Sequence, residues 1–183
     1  MKVFISWSGD RSGKVALALR DWLKCVIQAL DPWVSKGGIA AGKAWRNEIR
    51  VQLDKSEFGI VCLVPENVDA AWMNFEAGAI AKNAGDVEGR VVPFVVDMAI
   101  ANVPEPLGTF NGTHGTNKAE VRELVVSMND ALPAANRLPA AVLDTMFETF
   151  WPGFEAKLLA IVNEGPPKGT KKPERQDREL LEE

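Results

Sequence analysis

The sequence predicts a doubly wound α/β domain built on a parallel sheet. Short apolar runs alternate with stretches of helical periodicity, and the stretches between runs are long enough for parallel crossovers. No internal repeat of ~20–50 residues is visible, which sets solenoids and propellers aside. The 183 residues, 46% hydrophobic and 25% charged, suffice for one core and a short appendage.

Val3-Phe4-Ile5-Ser6 reads as the first strand, and Trp7 to Gly13 as a polar turn. Val15 to Ala29 is an amphipathic helix, because Val15, Leu19, Trp22, Val26 and Leu30 recur at helical spacing. Pro32 to Ser35 is a brief second strand near an edge, since proline cannot donate to a central ladder. A glycine-rich loop, Lys36 to Lys43, precedes a helix from Trp45 to Ser56 with Ile49 and Leu53 inward. Glu57 to Val64 is the third strand and Pro65 to Asp69 a loop. A small-residue helix follows from Ala70 to Lys82. Gly89 to Val96 is the fourth strand, with Pro93 hinting at an irregular or peripheral place.

Ile100 to Asn117 is a long loop with little pattern. Lys118 to Leu132 is a helix with Val121, Leu124, Val125 and Met128 on one face. Leu138 to Val162 is helical, with Leu143, Phe147, Phe150, Phe154 and Leu158 as its apolar side. Pro152 begins a new turn there or kinks the helix. The domain is expected to span 1–164. From Gly165 the composition turns to Gly-Pro-Pro-Lys-Gly-Thr-Lys-Lys-Pro, so 165–183 reads as a flexible linker. It marks either the lead into a further domain or a frayed terminus.

The net charge of -4, with no basic tract through the folded part, argues against nucleic acid as a direct partner. Cys25 and Cys62 sit in apolar segments without metal-like spacing and are expected as buried free thiols in a reducing compartment. The single histidine, His114, leaves no His-rich metal site and reads as a solvated bystander in a polar loop. No metal site is expected. No run is long enough to span a membrane and the start resembles no signal peptide, so a cytoplasmic location is expected.

Three segments could form a site. Trp72 and Glu76 are four apart near the start of a helix that follows a core strand, so they share a face. A helix start favours an ionised carboxylate. The alternative is ordinary packing by Trp72 and a favourable first-turn charge at Glu76. Ser6, Trp7, Ser8 and Asp10 end the first strand, where phosphate or ribose could bind, or where Asp10 or Ser12 caps the next helix. Gly37 to Lys43 has the glycine separation of a P-loop, but Ala44 stands where the magnesium-binding Ser or Thr belongs. A mobile loop that gates a pocket or docks a partner is the better reading. In strand order 2-1-3-4-5 the order reverses between strands one and three. Ser6–Asp10, Ser35 with its loop, and Trp72–Glu76 would then converge on one crevice. One acid, several hydroxyls and tryptophans suit a nucleotide or sugar ligand.

Val3 to Ser8 resembles the opening box of TIR (Toll/interleukin-1 receptor) domains. Trp33-Val34-Ser35 through Gly42, then Trp45 to Ile49, resembles their second strand, BB loop and following helix. Trp72 to Glu76 fits the W-x-x-x-E pattern of enzymatic TIR domains, and Phe75-Glu76-Ala77-Gly78-Ala79 is similar to the bacterial branch. Pro106-Leu107, Phe110 and Phe150-Trp151-Pro152 add to the likeness, which covers about 1–164.

The resemblance implies a flavodoxin-like fold of about five strands. It also implies NAD⁺ glycohydrolase or ADP-ribosyl cyclase activity, with NAD⁺ as substrate, no cofactor, and Glu76 as the catalytic glutamate. Loss of nicotinamide leaves an oxocarbenium-like ribose, which a carboxylate can stabilise. The leaving group is already cationic, so no second acid is needed. By position, Trp72, Trp33 or Trp45 would stack on a ring of the substrate. Ser6, Trp7, Ser8 and Ser35 would line the crevice, and Arg46 or Lys43 would meet the pyrophosphate. The family also implies activation by self-association through the Gly37–Lys43 loop, a sensor domain or partner protein, and a role in bacterial anti-phage defence. Competing readings are a non-catalytic TIR scaffold, a nucleoside deoxyribosyltransferase-like enzyme, and a synthase of a cyclic messenger.

Overall fold

A computed structural model describes residues 1–34, 51, 56, 58–70, 91–105 and 107–167. Five strands form one sheet: β1 Lys2–Ser6, β2 Asp31–Val34, β3 Phe58–Leu63, β4 Val91–Val95 and β5 Thr113–His114. All pairs are parallel and the order is β2-β1-β3-β4-β5, the order expected from the sequence. Three helices are described: α1 Asp10–Val26, α2 Lys118–Ala131 and α3 Ala140–Glu164.

Side chains alternate along the strands and so divide the core into two faces. Val3, Ile5, Ile60, Cys62, Val92 and Phe94 pack with α1, α2 and α3. Val61, Leu63, Val91 and Val95 pack on the other face with Val103 and Leu107. The expected apolar stripes of α1 and α2 are all buried. On α3 the stripe shifts by one residue. Trp151 is 3% exposed, while Phe150 is only half-buried, because Phe147, Trp151, Phe154 and Leu158 keep the 4-3-4 spacing of one helical face. Trp22 of α1 stacks on Phe154 at 4.4 Å and meets Phe147 and Trp151 edge-on.

Several expectations are corrected. Trp7 to Gly13 is not all turn, for α1 already begins at Asp10. Cys25 is exposed rather than buried, lying on the outer side of α1 next to exposed Lys24. The patternless loop from Ile100 contains two short 3-10 turns and the two-residue β5. Pro152 does not start a separate helix, for α3 runs on through it. Pro93 sits in an interior strand, and the hydrogen bonds show why it is tolerated. The Val96 N–H donates to Leu63 and the Val95 carbonyl accepts from Gly115, so odd-numbered residues of β4 point toward β5. Pro93 points the same way, and pairing with β5 begins only at Phe94. No ladder bond is lost.

Of the expected helix Trp45–Ser56, Val51 is helical and exposed, and most of the rest lies outside the described residues. So do the loop from Lys36 to Lys43 and most of the helix Ala70–Lys82. Helical backbone begins at Val68, two residues before the expected start. Among the described residues no helix is long and apolar enough to cross a membrane, and no group of His, Cys, Asp and Glu could hold a metal.

Candidate functional site at the carboxyl edge of the sheet

β1 and β3 are neighbours, whereas β1 leads in sequence to β2 on its other side. Their carboxyl ends therefore form the switch point at which open α/β sheets bind ligands. Ser6 ends β1 and is 7% exposed on the face shared with Val61. Gly9, at φ +84°, turns the chain into α1, a conformation that a side chain would strain. No side chain caps this helix. Trp7 lies across the first turns of α1, where a Cβ at Gly13 would stand 2.8 Å from its ring. Gly13 is thus the residue that lets the indole approach.

Two polar clusters occupy the edge. In the first, Asn67 donates from Nδ2 to the carbonyls of Ser8 at 3.0 Å and Cys62 at 3.2 Å, with a longer bond to the Ser8 hydroxyl at 3.4 Å. Its Oδ1 accepts from the Val64 N–H at 2.7 Å. Ser12 donates to the Cys62 carbonyl at 2.9 Å and accepts from the Ser8 N–H. Burial pushes the Cys62 thiol well above its ordinary value, so it is an inert core group.

The second cluster centres on Arg11, 3% exposed on the first turn of α1. Its Nη1 donates to both Glu66 oxygens at 3.1 and 2.9 Å, and Nη2 to Asp97 Oδ2 at 2.9 Å. Nε donates to the Ile161 carbonyl of α3 at 3.3 Å. Asp97 follows β4 and holds φ +61°, rare for a residue with a side chain. One cation faces two carboxylates, so the cluster carries a net negative charge.

Of the expected site residues, Ser6, Trp7 and Ser8 do come to this edge, but the protein itself uses them. Ser6 is buried in the sheet, Trp7 packs on α1, and Ser8 is bonded to Asn67 and Ser12. Trp33 on β2 is half-buried and stacks on Phe4 at 5.4 Å, so one ring face is already covered. Ser35, Lys43, Trp45, Arg46, Trp72 and Glu76 lie outside the described residues.

Arg11, Glu66, Asn67 and Asp97 were missed. A signal for Arg11 existed: it stands four residues before Val15, in the same stripe as Leu19, Trp22 and Val26. Once the helix begins at Asp10, that stripe carries Arg11 inward. His114 is likewise no solvated bystander. Its N–H donates to Glu120 at 2.7 Å, and its Nδ1 lies 2.8 Å from the same carboxylate.

A cavity of about 510 Å³ lies at the opposite edge, by the amino ends of β3 and β4. Among the described residues, Glu120 and Glu123 line it with Phe58 and Phe110, and no lysine or arginine does. That lining suits dinucleotide phosphates poorly.

A five-stranded parallel sheet in this order, with helices against it and a polar edge at the switch point, defines a flavodoxin-like α/β protein. The family model of the TIR domain matches residues 3–125, and the chain belongs to that family. TIR domains act in signalling or cleave NAD⁺, and they self-associate. No curated protein matches the chain.

Proposed function

We propose that this TIR domain is an NAD⁺-consuming enzyme that breaks the nicotinamide–ribose bond, with Glu76 as the catalytic carboxylate. The observation that carries the reading is the course of the chain after β3. β3 ends beside β1 at the switch point, the turn at Pro65 to Asn67 follows, and helical backbone begins at Val68. Trp72 and Glu76 stand four and eight residues further on, in the W-x-x-x-E pattern. A carboxylate at that edge would stabilise the cation left on ribose as nicotinamide departs. Water or an adenine nitrogen then takes the ribose carbon, giving ADP-ribose or a cyclic isomer.

Trp72, Trp45, Ser35, Lys43 and Arg46 remain the proposed substrate contacts. The Gly37–Lys43 loop is proposed as the self-association element, 1–164 as the domain, and 165–183 as a linker to a sensor. A cytoplasmic effector role in anti-phage defence completes the proposal. One observation favours the second reading, a TIR scaffold without catalysis: Ser6 is buried and the Ser8 hydroxyl and N–H are bonded within the protein.

The experiment is NAD⁺ consumption by protein clustered on a support, wild type beside Glu76→Ala, with products separated by chromatography. Loss of NAD⁺ in the wild type, reduced roughly 10²-fold or more in the variant, supports the enzyme. No consumption by clustered wild type favours the scaffold.

A further inference from the structure

We propose that Arg11 is a positioning residue for the site at the carboxyl edge, setting where the chain leaves β3 toward Trp72 and Glu76. The inference rests on the NAD⁺ reading given above. From the first turn of α1, Arg11 reaches three other parts of the fold through one planar group: Glu66 after β3, Asp97 after β4 and the Ile161 carbonyl of α3. These partners lie 55, 86 and 150 residues away in sequence.

Stability alone is a poor reason for such an arrangement. A buried ion pair contributes little net stability compared with apolar groups of the same size. What the arrangement adds is geometry. A guanidinium presents donors in fixed directions, and here all three nitrogens donate to fixed acceptors. Glu66 is held at both oxygens, and its neighbour Asn67 is held to Ser8, just past β1, and to Cys62. The turn therefore has little freedom where it passes into helical backbone at Val68. Asp97, on the far side of Arg11, keeps a backbone conformation that persists only where surroundings impose it. A lysine at position 11 would keep the charge and lose the division of donors.

The test uses the full chain, clustered as above, in four forms: wild type, Arg11→Lys, Arg11→Met and Lys118→Ala. The last removes only an exposed pair with Glu148 between α2 and α3 and serves as the control. The readouts are kcat and KM for NAD⁺ cleavage, and amide hydrogen exchange. Arg11→Lys is expected to lower kcat about 10-fold or more with little change in KM, as misplacement of a reacting group does. Exchange at residues 64–70 should quicken about 10-fold while α2 stays protected, and Lys118→Ala should change neither. A folded Arg11→Lys with wild-type kcat, or unchanged exchange at 64–70, overturns the proposal. If Arg11→Met does not fold, Glu66→Gln replaces it under the same criteria. A wild type that never consumes NAD⁺ sinks the enzymatic reading separately. Exchange then decides the positioning role: acceleration supports it and no change overturns it.

Discussion

The Asn67 side chain ties the ends of β1 and β3 together, donating to the Ser8 carbonyl at 3.0 Å across 59 residues of sequence. It closes the switch point from within, since the same amide also serves the Cys62 carbonyl and the Val64 N–H. Replacing it with alanine strands the buried Val64 N–H and takes a partner from the Ser8 carbonyl, while Ser12 still donates to the Cys62 carbonyl. Asn67→Ala should cost about 2–4 kcal/mol, read as a fall in denaturation midpoint at unchanged slope. Asn67→Asp keeps an acceptor for Val64 but sets a carboxylate against two carbonyls. It should cost at least as much at neutral pH, and a milder effect than alanine would show that the donor bonds contribute little.

Trp22 tests the aromatic cluster between α1 and α3. The indole is 5% exposed, and its Nε1 is buried with no hydrogen-bond partner among the described residues. Trp22→Ala should cost about 3–5 kcal/mol by opening a cavity. Trp22→Phe keeps a ring against Phe154 and removes the unpaired donor, so it should cost less than about 1.5 kcal/mol. Thermal melts of both variants separate packing from the buried N–H. Equal losses would show that indole size alone matters.

Two glycines should respond with opposite sign to the same substitution. A Cβ at Gly115 would stand 2.5 Å from the ring of Phe94, which is fully buried and cannot yield. Gly115→Ala should therefore destabilise by about 1–3 kcal/mol. Gly153 lies exposed within α3 with nothing within 4 Å of an added Cβ. Gly153→Ala should stabilise by about 0.5–1 kcal/mol, a rise of about 2–4 °C in melting temperature at the upper end.

Glu120 links β5 to α2 and supplies an acid dependence. Burial works against its charged form, but the His114 N–H and ring, with Asn117, outweigh this and hold the carboxyl below its ordinary value. A carboxyl lowered by folding stabilises the protein above its unfolded pKa of about 4.3. That stabilisation is lost as pH falls through the folded value. Melting temperature should therefore drop below about pH 4.3, and Glu120→Gln should flatten that limb while lowering stability near neutrality. An identical acid limb in the variant would assign the dependence to other carboxylates.

The local patterns in the sequence were sufficient for the first four strands and the described helices, because apolar strands and 3.6-residue stripes report burial directly, whereas the strand order came with the likeness to the TIR fold. Val15 through Val26 and Val121 through Met128 point inward as their spacing demands. β5 escaped notice because two residues carry no period, and its pairing depends on β4 beside it. Phe150 and Trp151 both fit a helical stripe with Phe147 and Phe154, and the packed structure puts Trp151 rather than Phe150 against Trp22 of α1.

At the candidate site the division is sharper. The residues whose types carry chemistry, Glu76 and Trp72 above all, were legible from sequence alone, and they lie outside the described residues. What only tertiary structure decided is the use of the edge itself. Arg11, Glu66, Asn67 and Asp97 come from three separate strand ends, and only the parallel sheet brings those ends together. Ser6 and Ser8 read as ligand hydroxyls in the sequence. In the fold Ser6 is buried in the sheet and Ser8 is bonded to Asn67 and Ser12, because the strand ends that meet at β1 and β3 satisfy polar groups on each other.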